Sequence, residues 1–324
     1  MWLVTGGAGY IGAHVVRALQ RSGREVVVLD DLSTGIASKL GDTPLVRASV
    51  GDREALRAAF RDYKVDGVLH LAAKKAVGES VERPLYYWQE NVCNLQVLLE
   101  EMTQAGIARF VYSSSAAVYG QPDSTDFITE TTLCQPINPY GATKLAGEWM
   151  TTATAAQYGW SAMSLRYFNV AGAGEADLAD PGVFNLIPLV FRALDNQVPP
   201  QVYGDDYPTV DGTCVRDYVH VVDLADAHVA ACEYVETHPA AGNTVLNIGT
   251  GRGSSVLEVL DTVSAATGLD STGARVERRA GDPAQLVAAV DRAREVLGWT
   301  SSNDLSDMVT SAWQAWQSHR GETQ

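Results

Sequence analysis

Cysteine is scarce in this chain: among 324 residues there are four, Cys93, Cys134, Cys214 and Cys232, far apart and with no CxxC pair. That spacing excludes a disulfide framework and points to reduced packing thiols rather than a metal or redox centre. The six histidines show no HxxxH or HxH spacing, so no metal site is expected, and His14 and His228 are read as helix-surface or packing residues. Positive charge is also short, with 24 Lys and Arg against 39 Asp and Glu and a formal net charge of −15. Such an acidic chain suits neither nucleic acid nor an anionic membrane, and any anionic ligand must be held by local cations. Apolar runs such as Val26-Val27-Val28-Leu29 fall far short of the ~20 residues of a membrane span. The chain enters a strand at once without a leader segment, which places it in the cytoplasm as an expectation. Internal repeats and low-complexity tracts are absent.

What is present is enough apolar content, 46 %, for substantial cores, and a length that suits two medium domains. Residues 1–5 form a short buried strand running into Gly6-Gly7-Ala8-Gly9-Tyr10-Ile11-Gly12. A helix follows, with Ile11, Val15, Val16 and Leu19 on one side, and stops at Gly23, a residue that tolerates positive φ. Strands are expected at 25–29, 65–72, 109–113 and 161–166, with helices between them at 52–63, 92–104 and 140–158. This alternation predicts an α/β fold, a doubly wound parallel sheet with helices on both faces. Beyond about Asn169 the texture changes, because 172–182 and 199–217 are rich in Gly, Pro and Asp around a helical segment at 186–194. The expected organisation is a Rossmann-type domain over 1–168 and a smaller mixed α/β substrate domain over 169–324. A strand at 243–249 could return to the main sheet, and helices are expected at 256–267, 291–297 and 305–317.

Gly6-x-x-Gly9-x-x-Gly12 sits between a strand and a helix, where the chain must turn sharply and bring backbone amides to an anion. Asp30 follows Gly12 by 18 residues at the end of the second strand, where a carboxylate can bond a ribose 2′-hydroxyl. Asp30 and Asp31 together repel a 2′-phosphate, so the expected dinucleotide is NAD rather than NADP.

Asn138-Pro139-Tyr140-Gly141-Ala142-Thr143-Lys144 opens a helix on which Tyr140 and Lys144, four apart, share one face. A free phenol titrates near 10, so a base at neutral pH needs a fall of about three units, a sign of shift that a neighbouring cation supplies. Ser115, at the carboxyl end of a strand, can hydrogen-bond the oxygen that Tyr140 deprotonates. TGGAGYIG, SSSAAVYG and PYGATK resemble the extended short-chain dehydrogenase/reductase family, whose reactive Ser, Tyr and Lys are matched by Ser115, Tyr140 and Lys144. Lys75-Ala76-Val77-Gly78-Glu79-Ser80, Leu165-Arg166-Tyr167-Phe168-Asn169, Val215-Arg216-Asp217-Tyr218-Val219-His220-Val221 and Arg278-Arg279-Ala280-Gly281-Asp282 are similar to UDP-glucose 4-epimerases.

The resemblance implies an isomerase that keeps NAD bound and interconverts UDP-galactose and UDP-glucose through a 4-keto sugar. It implies Gly6, Gly9, Tyr10, Ile11, Gly12, Asp30, Asp31, Val50, Lys75, Asn91, Tyr140 and Lys144 at the cofactor. At the UDP-hexose it implies Lys75, Ser115, Asn169, Asn185, Tyr203 near the uracil, Arg216 and Arg279 on the diphosphate, and Asp282 on the uridine ribose. Guanidinium forks suit phosphate oxygens, and so acidic a protein needs such a patch. The chain departs from the family pattern at Ser49, where an aspartate usually meets the adenine, at Ala73 and at Ala117. Leu286 stands at the gate of the sugar pocket, so UDP-N-acetylhexosamine, UDP-glucuronate and UDP-pentose remain alternative substrates. Ala116-Ala117 replaces the acids of a 4,6-dehydratase. Helices over 92–102 and 144–156 resemble those that pair subunits in the family, implying a homodimer.

Overall fold

The computed structural model describes residues 1–122, 127–180, 182–183, 185–279 and 282–320, with 319 and 320 described in backbone only. The first half runs β1 (Trp2–Thr5), α1 (Tyr10–Arg21), β2 (Val26–Asp30), β3 (Leu45–Arg47), α2 (Arg53–Asp62), β4 (Gly67–His70), α3 (Val77–Glu82), α4 (Pro84–Trp88), α5 (Asn94–Ala105), β5 (Arg109–Ser115) and α6 (Pro139–Tyr158). The second runs β6 (Ser161–Tyr167), β7 (Asn169–Ala171), α7 (Leu186–Asp195), β8 (Gln201–Tyr203), β9 (Val215–His220), α8 (Val221–Thr237), β10 (Gly242–Ile248), β11 (Gly253–Ser255), α9 (Val256–Thr267), β12 (Ala274–Val276), β13 (Gln285–Leu286), α10 (Asp291–Leu297) and α11 (Leu305–Arg320).

The expected doubly wound sheet is present, with seven parallel strands in the order β10-β6-β5-β4-β1-β2-β3. Its inner strands are buried on both faces, so their residues alternate between two cores. Trp2, Val4, Val26 and Val28 face α1 and α8, whereas Leu3, Val27 and Leu29 face α2 and α5. Burying each such side chain contributes about 1.5–3 kcal/mol as an upper figure, and this two-sided packing fixes which strand ends meet. Strand order reverses between β1 and β4, so a crevice opens at their carboxyl ends, the place where such sheets bind ligands.

Helix boundaries follow local chemistry. The Asp52 side chain accepts from the Ala55 amide (3.1 Å) and starts α2, and Asn138 accepts from Gly141 (2.8 Å) and starts α6 with Pro139 in its first turn. The helix expected from Val92 instead begins at Asn94, after a π-helical turn over Gln89–Cys93. One long helix, α8, was not anticipated. Its buried residues, among them Leu224, Ala225, Ala227, His228, Ala231 and Val235, are spread around the helix and give no one-sided stripe to read. It packs in the first core beside α1, and Ala293 of α10 and Trp299 join the same core. The remaining segments surround a small mixed sheet in which β9 pairs with β7, β11 and β13, beside the two-stranded β8-β12 ribbon. A third core, with Ile187, Phe191, Val259, Met308 and Trp313, lies under α7, α9 and α11.

Candidate active site

The glycine turn is shaped by contact. A Cβ on Gly6, whose φ is +71°, would lie 2.6 Å from the Ala72 amide nitrogen after β4, and one on Gly12 would lie 2.1 Å from the Gly6 carbonyl oxygen. These two glycines let strand, turn and helix close on one another. On Gly9 the nearest neighbour of a Cβ is 3.3 Å away, so its bare backbone is what the turn presents at the start of α1. Asp30 braces the turn from β2: its Oδ2 accepts from the Ala8 amide (3.0 Å) and its Oδ1 from Leu32 (2.8 Å). Burial pushes the Asp30 carboxyl up, and the two amides oppose that shift.

These residues open onto a cleft with about 1460 Å³ of free space including its mouth. Tyr10, Ile11, Asp31, Val50, Lys75, Tyr140 and Lys144 also line it, as do Ser49 and Ala73. A cradle that side chains would fill, amides at a helix start and a braced carboxylate at the second strand end are the chemistry a dinucleotide needs, so the residues fit NAD. Asn91 is placed differently. It is buried behind the wall, accepting from the Lys74 amide (2.8 Å) and donating to the Lys74 carbonyl (3.0 Å) and Thr143 Oγ1 (3.1 Å). Its amide holds the backbone beside Lys75 and does not line the cleft.

Helix α6 lies hard against β5, because a Cβ on Gly147 would stand 2.1 Å from the Tyr112 hydroxyl. That closeness delivers Lys144 to the carboxyl-terminal half of β5, where Nζ donates to the Ser113 carbonyl (2.6 Å) and Ser113 Oγ (3.1 Å) and sits 5.2 Å from the centroid of the Tyr112 ring. Burial drives the Lys144 ammonium down to about 7, against an upward pull from Glu148 one turn further on. The Tyr140 phenol, also buried, is raised above its ordinary value, and a hydrogen bond with Ser115 partly offsets the rise. This corrects the expectation that Lys144 lowers it. In this structure burial sets the direction of the shift, and the Lys144 Nζ is turned to Ser113. Ser115 Oγ accepts from the Ala117 amide (3.2 Å), which leaves its proton for the Tyr140 side.

A second cavity, with about 540 Å³ of free space including its mouth, adjoins the cleft, and Tyr10 and Asp180 line both. Asn169 and Asn185 are on its wall with Tyr218. Two residues before Tyr218 on β9, the Arg216 guanidinium donates to the Pro283 carbonyl (2.8 Å) and pairs with Asp282 (3.5 Å). Arg279 lies over the Tyr203 ring, 3.7 Å from its centroid. The four residues expected at the nucleotide therefore form two cation-bearing pairs, one at β9 and one at β8 in a separate sheet, and none of them lines either cavity, while Ala280 and Gly281 of the same motif lie outside the described residues. Leu286 is buried with Ala116, Leu145 and Phe168.

A model of the NAD dependent epimerase/dehydratase family matches residues 2–249. The chain belongs to that family. Across the whole chain it is 46 % identical over 323 residues to the UDP-glucose 4-epimerase of Streptomyces lividans, covering 98 % of this chain and 96 % of that one. Its fold matches a UDP-glucose 4-epimerase from Stenotrophomonas maltophila, crystallised with NAD and formylated UDP-arabinopyranose, at TM-score 0.94 and 38 % identity over 100 % of this chain and 99 % of that one. The Brucella ovis enzyme in complex with NAD matches at TM-score 0.91 and 41 % identity, over 97 % and 98 %. The resemblance read from short motifs thus extends over the complete fold of these epimerases.

Within this family member, several site residues carry no short motif and escaped sequence reading. Glu148, fully buried beside Lys144, accepts from Arg166 at both oxygens (2.8 and 2.6 Å) and from the Ser114 hydroxyl. Lys39, buried in the first half of the chain, donates to the Ala179 carbonyl (2.6 Å), and Tyr10, already expected at the cofactor, donates to the Gly172 carbonyl (2.5 Å), so one cation and one phenol of the cofactor side hold the 172–180 loop of the second cavity. Glu148, four positions after Lys144 and so on the same helix face, was the available signal.

Proposed function

We infer that this epimerase-family chain interconverts UDP-glucose and UDP-galactose by reversible oxidation at C4 of the hexose. The observation that carries the reading is the meeting of Tyr140 and Lys144 with the glycine cradle in one cleft, in a chain alike end to end to UDP-glucose 4-epimerases. NAD, held by the glycine turn and Asp30, would supply the acceptor and donor of the C4 hydride. Tyr140 takes the proton of the 4-hydroxyl as the carbon is oxidised, and Ser115 holds that oxygen by a hydrogen bond. Lys144, charged, favours the phenolate and so counters the burial that raises Tyr140. Arg216, Arg279 and the second-cavity residues Asn169 and Asn185 grip the nucleotide, with Tyr203 against the uracil and Asp282 at its ribose. Because the anchors are concentrated on the nucleotide, the hexose of the 4-keto intermediate is free to turn and present its other face. Asn91 acts by holding the backbone next to Lys75.

The division into a cofactor unit over 1–168 and a UDP-sugar unit over 169–324 is part of this reading, with α8 and β10 packed in the first core. So are a homodimer and a place in cytoplasmic galactose metabolism. Support for the dimer is the apolar surface on α3, α4 and α6, where Val81, Leu85 and Trp149 are exposed, Leu85 by 82 %. No helix among the described residues is long and apolar enough to cross a membrane.

The test is to denature purified protein and assay released NAD, then to supply UDP-galactose, UDP-N-acetylgalactosamine and UDP-galacturonate side by side. Formation of UDP-glucose without build-up of reduced nicotinamide is expected. A steady rise of the reduced band would make the protein a net dehydrogenase, and preference for another sugar would transfer the same machinery to that substrate through the Leu286 gate.

A further inference from the structure

Below Lys144 a line of hydrogen bonds leaves the cleft and ends inside the first core, and one atom sets its direction. His228, fully buried on α8, has Nδ1 2.8 Å from the Leu224 carbonyl oxygen one helical turn earlier. A carbonyl only accepts, so Nδ1 carries the ring proton and Nε2 is left as an acceptor. The Tyr167 hydroxyl is hydrogen-bonded to that Nε2 and must donate to it. The phenol oxygen then has only lone pairs to offer the neighbouring Ser113 hydroxyl, which draws the buried Tyr167 phenol down as a donor does. Ser113 Oγ is thereby an acceptor toward Lys144 Nζ, 3.1 Å away, beside its own carbonyl at 2.6 Å. Donation runs one way, from Lys144 through Ser113, Tyr167 and His228 to Leu224.

An ammonium has three N–H groups. Two are held by Ser113, and the third is left for the cleft that Tyr140 and Tyr167 also line. Reversing any link would set the Ser113 proton against the lysine protons, donor facing donor. Burial keeps the arrangement fixed, since it pushes His228 down to about 4, so the ring stays neutral, and holds the Tyr167 phenol well above its usual range, so it keeps its proton.

We propose that His228 is a positioning residue which, through Tyr167 and Ser113, aims the free N–H of Lys144 into the cleft and so orients the cation that serves Tyr140. The proposal rests on the assignment of Lys144 to the reaction. Simple packing of the His228 ring would make its loss a matter of stability alone, whereas positioning makes it a matter of turnover at unchanged substrate affinity.

The holoenzyme is assayed with UDP-galactose as wild type and as His228→Leu, His228→Gln, Tyr167→Phe and the Tyr167→Phe/His228→Leu double variant, with bound NAD and the thermal midpoint measured on each. His228→Leu is expected to lower kcat about tenfold with KM within about twofold, and His228→Gln, whose amide oxygen can accept from Tyr167, to recover most of the loss. Adding His228→Leu to Tyr167→Phe is expected to cost no more than about twofold further, because the chain is already cut. A His228→Leu enzyme with wild-type kcat and a lowered midpoint overturns the proposal, as do losses that multiply in the double variant. If His228→Leu yields no folded protein, a wild-type kcat for Tyr167→Phe overturns it equally. Lys144→Met separates the two levels: retained turnover there refutes the active-site reading, whereas its loss alongside unaffected His228 and Tyr167 variants refutes only the hydrogen-bond chain.

Discussion

Replacing Glu148 with glutamine should unsettle both the fold and the reactive lysine. The carboxylate and the Arg166 guanidinium are almost fully covered, with side chains 4 % and 6 % exposed, and they meet in a two-point pair at 2.8 and 2.6 Å. Arg166 has further acceptors, the Tyr119 hydroxyl (2.9 Å) and the Glu130 carbonyl (3.2 Å), but no second carboxylate in hydrogen-bond contact among the described residues. Breaking one side of such a pair leaves an uncompensated buried charge and costs about 3–5 kcal/mol. With an unfolding entropy of about 2.1 cal/mol/K per residue, a chain of this length loses about 4–7 °C in its midpoint. Removing both partners by Glu148→Leu with Arg166→Met leaves no stranded charge, so the double variant should melt above either single one. Differential scanning calorimetry on Glu148→Gln, the two single variants and the double variant decides this. A Glu148→Gln midpoint within a degree of wild type, or a double variant that falls by the sum of the singles, refutes the reasoning. Activity supplies a second readout. Glu148 pulls Lys144 upward against burial, so without it Lys144 drops below about 7 and is charged in a smaller fraction of molecules at neutral pH. Turnover of Glu148→Gln should therefore begin to fall at a lower pH than that of wild type.

Lys144 titrates at about 7 when folded and near 10.5 when unfolded, so the unfolded chain binds the extra proton between those values and wild-type stability from this group rises with pH there. Lys144→Met should accordingly gain most over wild type below pH 7 and lose that advantage toward pH 10.5, as read by urea unfolding across pH; a pH-independent difference would contradict it. Gly12→Ala drives a Cβ to 2.1 Å from the Gly6 carbonyl and should lose both NAD content and about 1–3 kcal/mol of stability, whereas Gly9→Ala, with its nearest contact at 3.3 Å, should lose NAD while melting close to wild type. Wild-type NAD content in both would remove the cradle assignment. Leu85→Glu places a charge on the exposed apolar face of α4, which the proposed homodimer would cover, and should lower the mass in sedimentation to that of a monomer; a wild-type dimer whose mass the variant leaves unchanged would contradict this placement of the contact.

Local chemistry made much of the first half legible. Asn138 with Pro139 marks the start of α6, and Gly159, at φ +66°, marks its end. The glycine turn and Asp30 could be placed because strand, turn and helix follow one another within thirty residues, with no distant contact needed. The second half resisted for a physical reason: β7, β8, β9 and β13 are short, between two and six residues, and their pairing is set by partners far along the chain. Tyr203, Arg216, Arg279 and Asp282 were therefore reachable only through family resemblance. Asn91 shows the limit of that route, since a motif places a residue near a site without saying whether its amide faces ligand or backbone. Burial of Tyr140 was equally hidden, and it reverses the sign of the shift that proximity to Lys144 suggests.

The late arrival of β10 bears on how the chain is made. Strand β6, which carries Tyr167 on the floor of the cleft, pairs along all seven of its residues with β10, and β10 is complete only at Ile248. During synthesis β6 is thus an uncovered apolar edge while some eighty further residues leave the ribosome, and α8, which roofs the same core, emerges in that interval. An open edge of this kind invites pairing with a second nascent chain. A fragment ended near residue 240 would keep every residue of the glycine turn and of the Ser115, Tyr140 and Lys144 group, yet present that edge permanently and aggregate.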